Sequence, residues 1–239
     1  MKFIQHYSSS RSNLYEVVGG GGSPRRLLLE CGVRWPTLQE AIRYDLTNID
    51  GCLLTHEHMD HAMSAKQVMC AGIDLYASAG TLRALDLQGN HRQYETCSGD
   101  IIRLQGYWIY PFDIEHDAQE PLGYLIREMD AEDTLLFCPD SAYLKQKFSL
   151  KFTIIALEVN YNKEILNRRV KDGDINAEVA KRIVANHAEV NTTLSYLRKH
   201  CDLSRCRQIH LLHCSGANLN KRKTKKLFED KLFIETVVA

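Results

Sequence analysis

Three histidines, a glutamate and an aspartate crowd into the six residues HEHMDH, numbers 56–61. The motif follows a short apolar segment, Gly51–Thr55, which predicts a strand, and its end opens a segment, Asp60–Cys70, which predicts a helix. His56 and His58 are two positions apart, so an extended backbone places both imidazoles on one side of the strand end. This pattern constrains the fold most strongly, because it predicts a metal site at the exit of an apolar strand.

The second half of the motif, Asp60 and His61, turns into the predicted helix and can address a second ion. Imidazole nitrogen and carboxylate oxygen together suit zinc, and also manganese or iron. The alternative is a solvated polar cluster at a helix start, which the apolar strand before the motif disfavours.

One segment supplies too few ligands, so further donors must come from later in the chain. Three candidates, His116, Asp140 and His213, each stand where a predicted strand ends, which is the usual position of ligands in open α/β sheets. His210 competes with His213 for the last position, but it comes three residues earlier and would lie on the opposite face of the strand.

Strands and helices alternate along the chain, which predicts an α/β sandwich with helices on the outside. The stretch Gly19–Pro24 predicts a hairpin or surface loop between the strands Leu14–Val18 and Arg26–Glu30. A length of 239 residues is enough for one large domain or two small ones, and we place a single domain over residues 1–239. The other predicted strands are Ile73–Ala77, Ile101–Leu104, Tyr107–Ile114, Gly123–Arg127, Thr134–Cys138, Phe152–Leu157, Gln208–Leu212 and Leu232–Val238. The other predicted helices are Thr81–Leu87, Ala177–His187 with Asn176 as N-cap, Thr193–His200 with Thr192 as N-cap, and a basic helix after His213.

Composition limits the classes of partner. Thirty basic residues balance thirty acidic ones, so no global field draws the chain to a polyanion or an anionic membrane, and any such attraction must be local. The N-terminal segment has no apolar core typical of a signal peptide, and no later run approaches a membrane span. Eight cysteines without a close CxxC pair indicate reduced thiols, so we expect a cytoplasmic protein with no membrane contact.

The order HxHxDH, His, Asp, His resembles that of the metallo-β-lactamase superfamily, and the match extends over essentially the whole chain. The segment RLLLECG at Arg26–Gly32 looks like the family's LLIDxG strand, with Glu30 in place of the usual aspartate. The resemblance implies an αββα sandwich of two mixed β-sheets flanked by helices, and two divalent metal ions, zinc or manganese. It also implies that Asp140 bridges the two ions. The first ion would be held by His56, His58 and His116, and the second by Asp60, His61 and His213.

Two ions held about 3.5–4 Å apart lower the pKa of a shared water and clamp the attacking and leaving oxygens. The bridging hydroxide then attacks without a separate general base, and the metals neutralise the developing charge. The reaction class that the resemblance implies is therefore hydrolysis.

Two later segments favour the phosphodiesterase branch of the superfamily. His116–Ile126 looks like that branch's "H…xGYxI" strand entry, and Leu157–Asn162 resembles its glutamate-containing motif. His187 follows where ribonuclease Z-like and YycJ/WalJ-like nucleases carry a histidine, although His187 here lacks the small hydroxyl neighbours of that motif. In those families the glutamate and the histidine are thought to move a proton to the leaving oxygen. An alkoxide leaving group needs a general acid, and a carboxylate can orient and charge an imidazole. The competing interpretation of His187 is a half-buried structural histidine, and that of Glu158 is a structural carboxylate. The candidate catalytic residues are Asp60, Glu158 and His187.

Within that branch, the YycJ/WalJ-like group of single-domain nucleases has the most similar pattern, since Tyr7–Asn13 resembles its SGSxGN turn without the glycines. The basic run Lys221–Lys226 follows His213 and could contact phosphates near the metals, with Arg168, Arg169, Lys181 and Arg182 adding to the patch. The alternative for such a run is a solvated helix face.

These observations predict a two-metal phosphodiesterase acting as a nuclease, with DNA preferred over RNA. The first alternative is a cyclic-nucleotide phosphodiesterase, and the second is a carbon-ester, thioester or lactam hydrolase of the same fold, which would need neither Glu158 nor His187. A metal-bound scaffold without turnover is disfavoured because every expected ligand is present. The expected partner is a nucleic acid or nucleotide substrate, and a homodimer stays open.

Overall fold

The computed structural model describes residues 1–20 and 25–239. The chain divides into two compact units, of which the first comprises Met1–Asp113 and Ala118–Thr134 and the second comprises Ile114–Asp117 and Leu135–Ala239. Among the helices of the described residues, none is long and apolar enough to cross a membrane.

The first unit contains a six-stranded mixed sheet in the order β1 to β6. The first three strands pair antiparallel, and β3 to β6 pair parallel. The strands are β1 (Lys2–Ser9), β2 (Ser12–Val18), β3 (Arg26–Leu29), β4 (Ile49–Leu53), β5 (Leu75–Ala77) and β6 (Gln93–Glu95). The strands on either side of the predicted Gly19–Pro24 loop therefore form an antiparallel pair as expected, while residues 21–24 of that loop lie outside the described residues.

Four short helices cover the apolar face of this sheet. They are α1 (Trp35–Ala41), α2 (Met59–Ala62), α3 (Ala65–Cys70) and α4 (Ala79–Ala84). Leu38, Val68 and Leu82 from three of them pack in one buried cluster with Leu28 and Leu75 of the sheet. The prediction of one helix over Asp60–Cys70 was wrong, because two helices, α2 and α3, occupy this segment.

The first unit also contains an antiparallel meander. It consists of β7 (Ile102–Leu104), β8 (Tyr107–Asp113) and β9 (Leu122–Glu128). The tight turn between β7 and β8 needs the left-handed conformation of Gly106, whose φ is 82°. The hydroxyl of Tyr124 in β9 donates to the carbonyl of Leu54 at 2.6 Å, just before the histidine-rich motif.

The second unit is built on four parallel strands, β10 (Thr134–Cys138), β11 (Ile154–Glu158), β12 (Gln208–Leu212) and β13 (Glu235–Val238). Every residue of β10 and β11 is buried, which is why these strands have almost continuous apolar sequences. The helices of this unit are α5 (Lys163–Lys171), α6 (Ala177–Asn186), α7 (Val190–His200) and α8 (Lys221–Leu232).

The caps of these helices show one agreement and one correction. Asn176 caps α6 as predicted, by accepting from the backbone N–H of Glu178. Thr192 does not cap α7, which begins earlier, and Glu189 caps it by accepting from the N–H groups of Asn191 and Thr192.

Candidate metal centre

In the first unit, the HEHMDH motif begins three residues after β4 and ends inside α2. Nε2 of His56 lies 3.1 Å from Nδ1 of His58. Two nitrogens on one tetrahedral zinc, each about 2.0–2.1 Å from the ion, are about 3.3 Å apart. The two imidazoles therefore present their donor atoms with the separation that a shared ion requires.

A chain of hydrogen bonds orients His56. Nδ1 of this histidine lies 2.9 Å from the hydroxyl of Thr55, and that hydroxyl donates to the carboxylate of Glu30 at 2.6 Å. Because the Thr55 proton goes to Glu30, Nδ1 of His56 is the donor to Thr55, and the lone pair of Nε2 is available to a metal. Support of this kind fixes the ring orientation of metal-bound histidines.

Glu30 also faces His61, whose Nδ1 lies 3.6 Å from the same carboxylate. Both side chains are buried. Burial raises the pKa of Glu30, and His61 opposes this effect. Burial lowers the pKa of His61, but Glu30 and Asp60 outweigh it and raise this pKa to about 9. Glu30, which stands where the family usually has an aspartate, therefore interacts directly with His61, a predicted metal ligand.

Asn13 is a residue of this site that sequence reasoning missed. Its amide nitrogen lies 3.0 Å from Nε2 of His61 and donates to the Asp60 carboxylate at 3.2 Å. Oδ2 of Asp60 lies 3.4 Å from Nε2 of His61. The resemblance of Tyr7–Asn13 to a family turn was the signal that could have identified it. Glu57 lies in the motif but accepts from the N–H of Gln119, so it has a structural role.

In the second unit, Asp140 follows β10 and meets three imidazoles. Its Oδ2 atom lies 3.4 Å from Nε2 of His116 and 3.9 Å from Nε2 of His213, and its Oδ1 atom lies 2.9 Å from Nδ1 of His187. Burial by itself opposes ionisation of Asp140, but these histidines outweigh it and hold the pKa of Asp140 well below its usual range. Asp140 is therefore an anion with a histidine on each side of one oxygen.

Glu158, at the end of β11, is the second buried carboxylate of this cluster. Its Oε2 atom accepts from the N–H groups of Ser141 and Ala188, at 2.8 and 3.2 Å. Its Oε1 atom lies 2.8 Å from Nδ1 of His187 and 3.1 Å from Nδ1 of His213. One carboxylate thus orients both histidines. The contribution of the Ser141 N–H was not predicted from the sequence.

His116, His187 and His213 of the second unit have different surroundings. Nδ1 of His116 contacts the carbonyl oxygen of Asn186 at 3.3 Å, and since a carbonyl only accepts, Nδ1 carries the proton and the lone pair of Nε2 is available. Burial lowers the pKa of His187, but Glu158 and Asp140 raise it to about 10. His213 has a φ of 51°, and Asn160 donates to its carbonyl at 2.9 Å, which holds this unusual backbone.

His210, the competitor of His213, points elsewhere. Its Nε2 atom lies 3.0 Å from the side-chain oxygen of Gln208, and burial lowers its pKa to about 4. It therefore belongs to the strand β12, away from the Asp140 cluster. The basic run Lys221–Lys226 forms the start of α8 and is exposed apart from Thr224.

The donor sets fit divalent metal ions. Asp140, Glu158, His187 and His213 each offer a ligand atom, and these atoms lie within 4.8 Å of one another. In the first unit, the paired nitrogens of His56 and His58 have the separation of ligands on one ion. Imidazole nitrogen and carboxylate oxygen are the donors that zinc, manganese and iron accept.

Comparison with known proteins gives the class. The model of the β-lactamase superfamily domain matches residues 25–195. Exodeoxyribonuclease YycJ of Bacillus anthracis is 24% identical over an alignment of 245 positions, gaps included, which covers 95% of this chain and 88% of the relative. The metallo-β-lactamase fold protein YhfI of Bacillus subtilis has a TM-score of 0.73 at 14% identity, over 99% of this chain and 95% of that chain. A diphosphatase of the PhnP family has a TM-score of 0.63 at 16% identity, over 99% and 94%.

The protein is therefore a hydrolase with the metallo-β-lactamase fold, which confirms the predicted fold class of two mixed β-sheets flanked by helices. The chain belongs to the β-lactamase superfamily, as the resemblance of its motifs implied. Its histidine and aspartate clusters are suited to divalent metal ions.

Proposed function

We propose that the protein is a two-metal-dependent phosphodiesterase that acts as a nuclease, with DNA preferred over RNA. One observation carries the phosphodiesterase assignment. The Oε1 atom of Glu158 lies 2.8 Å from Nδ1 of His187 and holds this histidine beside Asp140. A nuclease must protonate an alkoxide as it leaves, and a histidine charged by a buried carboxylate is suited to that step. Hydrolysis of a thioester does not need this pair, because a thiolate, whose thiol has a pKa of about 8.5, leaves without protonation.

The proposed ligands of the first ion are His56, His58 and His116, and those of the second are Asp60, His61 and His213, with Asp140 as the bridge. Superfamily membership supports this assignment, and so do the imidazoles of His116 and His213 on either side of Asp140. When bound, the two ions would supply an activated water and neutralise charge on the phosphoryl oxygens. Zinc and manganese are the proposed metals.

The residues of the chain have separate tasks in this proposal. His187 donates its proton to the departing oxygen. Glu158, which is not one of the proposed ligands, orients His187 and keeps it cationic. Glu30, Thr55 and Asn13 hold the histidines of the HEHMDH motif in place.

The choice of DNA rests on similarity to the Bacillus anthracis exodeoxyribonuclease, which extends over 95% of this chain. The same extent supports the proposal that residues 1–239 act as one catalytic domain. All eight cysteines are free thiols, which supports a cytoplasmic location. A homodimer stays a prediction that sedimentation would test.

The experiment is hydrolysis of bis-p-nitrophenyl phosphate by protein stripped with a chelator and then supplied with zinc or manganese. We expect activity only after metal is returned, and loss of at least about 100-fold in Asp140→Ala. Asp230→Ala, an exposed aspartate of α8, is the matched control and should retain activity. A metal-loaded protein that leaves this diester intact would refute the proposal.

A substrate panel then separates the alternatives. Linear DNA, RNA, cyclic mononucleotides and a chromogenic acyl ester are compared at equal metal loading. Preference for DNA supports the nuclease, whereas preference for a cyclic mononucleotide or the acyl ester would replace it with the corresponding alternative.

A further inference from the structure

A groove of about 320 Å³ opens between α5 and α8 in the second unit. The groove starts at the same end of the parallel strands as Glu158 and His187. After Glu158 the chain reaches Asn162, the N-cap of α5, and after His213 it reaches Asn220, the N-cap of α8. Both caps line the groove, and the N–H of Asn162 donates to the carbonyl of Asn218 at 2.9 Å, which joins the two loops.

Two cations face this groove, Arg168 from α5 and Lys223 from α8. Both are exposed, and among the described residues neither side chain has a hydrogen-bond or ion-pair partner. The neighbouring Arg169 differs, because its guanidinium donates to Asn218 and to the carbonyl of Asp174. Glu164 is the carboxylate among the lining residues, and it forms no ion pair with either cation.

The two faces of α8 differ in how their lysines are paired, and this difference would not be expected if the helix were simply solvated all round. Lys225 is two positions after Lys223, about 200° around the helix. It lies outside the groove and forms an ion pair with Glu229 at 3.7 Å. The groove face of α8 instead combines Lys223 with the partly buried side chain of Leu227, and α5 contributes Ile165 beside Arg168. Two cations and two partly buried apolar side chains along one groove match a phosphate–sugar chain.

We infer that this groove binds the phosphodiester backbone of a nucleic-acid strand that extends beyond the scissile bond. The inference rests on the proposed nuclease function and adds to it a binding site for the strand outside the metal centre. Arg168 and Lys223 each neutralise one phosphate, while Ile165 and Leu227 contact the sugars. Binding of this kind releases counterions and therefore weakens as salt increases.

The test compares Arg168→Glu/Lys223→Glu with Lys225→Glu, a single charge reversal on the other face of α8. Each metal-loaded protein is titrated at several salt concentrations with a 12-nucleotide single strand whose phosphorothioate linkages resist hydrolysis. Its turnover of bis-p-nitrophenyl phosphate is measured separately. We expect the groove variant to bind the oligonucleotide at least about tenfold more weakly than wild type. The slope of log K against log salt should fall by about 1.4, because each single-strand phosphate contact contributes about 0.7.

Turnover of the small diester should stay within about twofold, because that substrate does not reach the groove. Lys225→Glu should stay near wild type in all three measurements. If the groove variant binds the oligonucleotide as wild type does, or if Lys225→Glu weakens it equally, the inference is refuted while diester turnover still supports the phosphodiesterase. If no protein hydrolyses the diester, the proposed function itself fails.

Discussion

The Oε1 atom of Glu158 lies 2.8 Å from Nδ1 of His187, so a buried carboxylate orients an imidazole that is about one fifth exposed. The proton on Nδ1 faces the carboxylate, which leaves Nε2 of His187 as the nitrogen that can exchange a proton with substrate. The exposure of His187 matters because a general acid must reach the leaving oxygen, whereas Glu158 only needs to reach His187.

His187→Ala should therefore slow turnover according to the leaving group. A sugar alkoxide needs protonation, so we expect a loss of about 10²–10⁴-fold on DNA. p-Nitrophenolate leaves without it, so the loss on bis-p-nitrophenyl phosphate should be below about tenfold. His91→Ala, an exposed histidine, is the control. Equal losses on both substrates, together with reduced metal content, would instead make His187 a metal ligand.

Glu158→Gln should change the pH dependence of activity on DNA. The acid must be protonated, so activity falls as pH rises through the pKa of His187, which burial lowers and Glu158 and Asp140 raise to about 10. Removing the charge of Glu158 lowers this pKa by about 1–3 units, so the alkaline fall in kcat moves to lower pH.

Two controls accompany the Glu158→Gln profile. Glutamine cannot accept from Ser141, Ala188 and both histidines at once, so unfolding free energy should decrease by about 1–3 kcal/mol, and assays belong well below the melting temperature. Glu178→Gln on the exposed face of α6 should leave the profile unchanged. An unmoved alkaline limb in Glu158→Gln would contradict the proton-transfer role.

Glu30→Ala should weaken metal binding although Glu30 is not a proposed ligand. The Thr55 hydroxyl would lose its acceptor and His56 would lose its fixed orientation, which we expect to lower metal affinity about 10–100-fold. Titration with a competing chelator measures this affinity. Glu40→Gln, on the exposed part of α1, is the control. Unchanged metal affinity in Glu30→Ala would show that Thr55 and His61 hold the site without Glu30.

How far the sequence predicts the fold depends on how local the signal is. Thr134–Cys138 and Gln208–Leu212 are predicted to the residue, because their apolar runs are bounded by polar residues. The strand Lys2–Ser9 was missed because its burial is only partial and its polar residues hide the pattern. The break between α2 and α3 is a tertiary effect, since the N–H of Ser64 donates to the carbonyl of Cys31.

The same distinction applies to the candidate site. Ligand types and spacing identify the HEHMDH motif and Asp140 from sequence alone, because metal chemistry restricts which side chains can recur at strand ends. The resemblance of Tyr7–Asn13 to a family turn marks Asn13 but not its contact with His61, and no sequence signal marks Asn160, because amide side chains suit many environments. Only the folded chain brings Asn13 to His61, 48 positions away.

Gly32→Ala should disrupt the first unit, because a Cβ atom at Gly32 would lie 1.6 Å from the carbonyl oxygen of Asp60. The obstacle is main chain, so no rotamer change relieves it. The N–H of Cys31 also donates to the carbonyl of His61 at 2.7 Å, so the loop cannot retreat without disturbing that contact. We expect a loss of about 3 kcal/mol or more in unfolding free energy, measured by chemical denaturation, together with weaker metal binding.

Gly216→Ala, whose added Cβ meets nothing within 4 Å, should change stability by less than about 1 kcal/mol. A Gly32→Ala protein as stable and as metal-loaded as Gly216→Ala would mean that the loop after β3 does not set the position of Asp60.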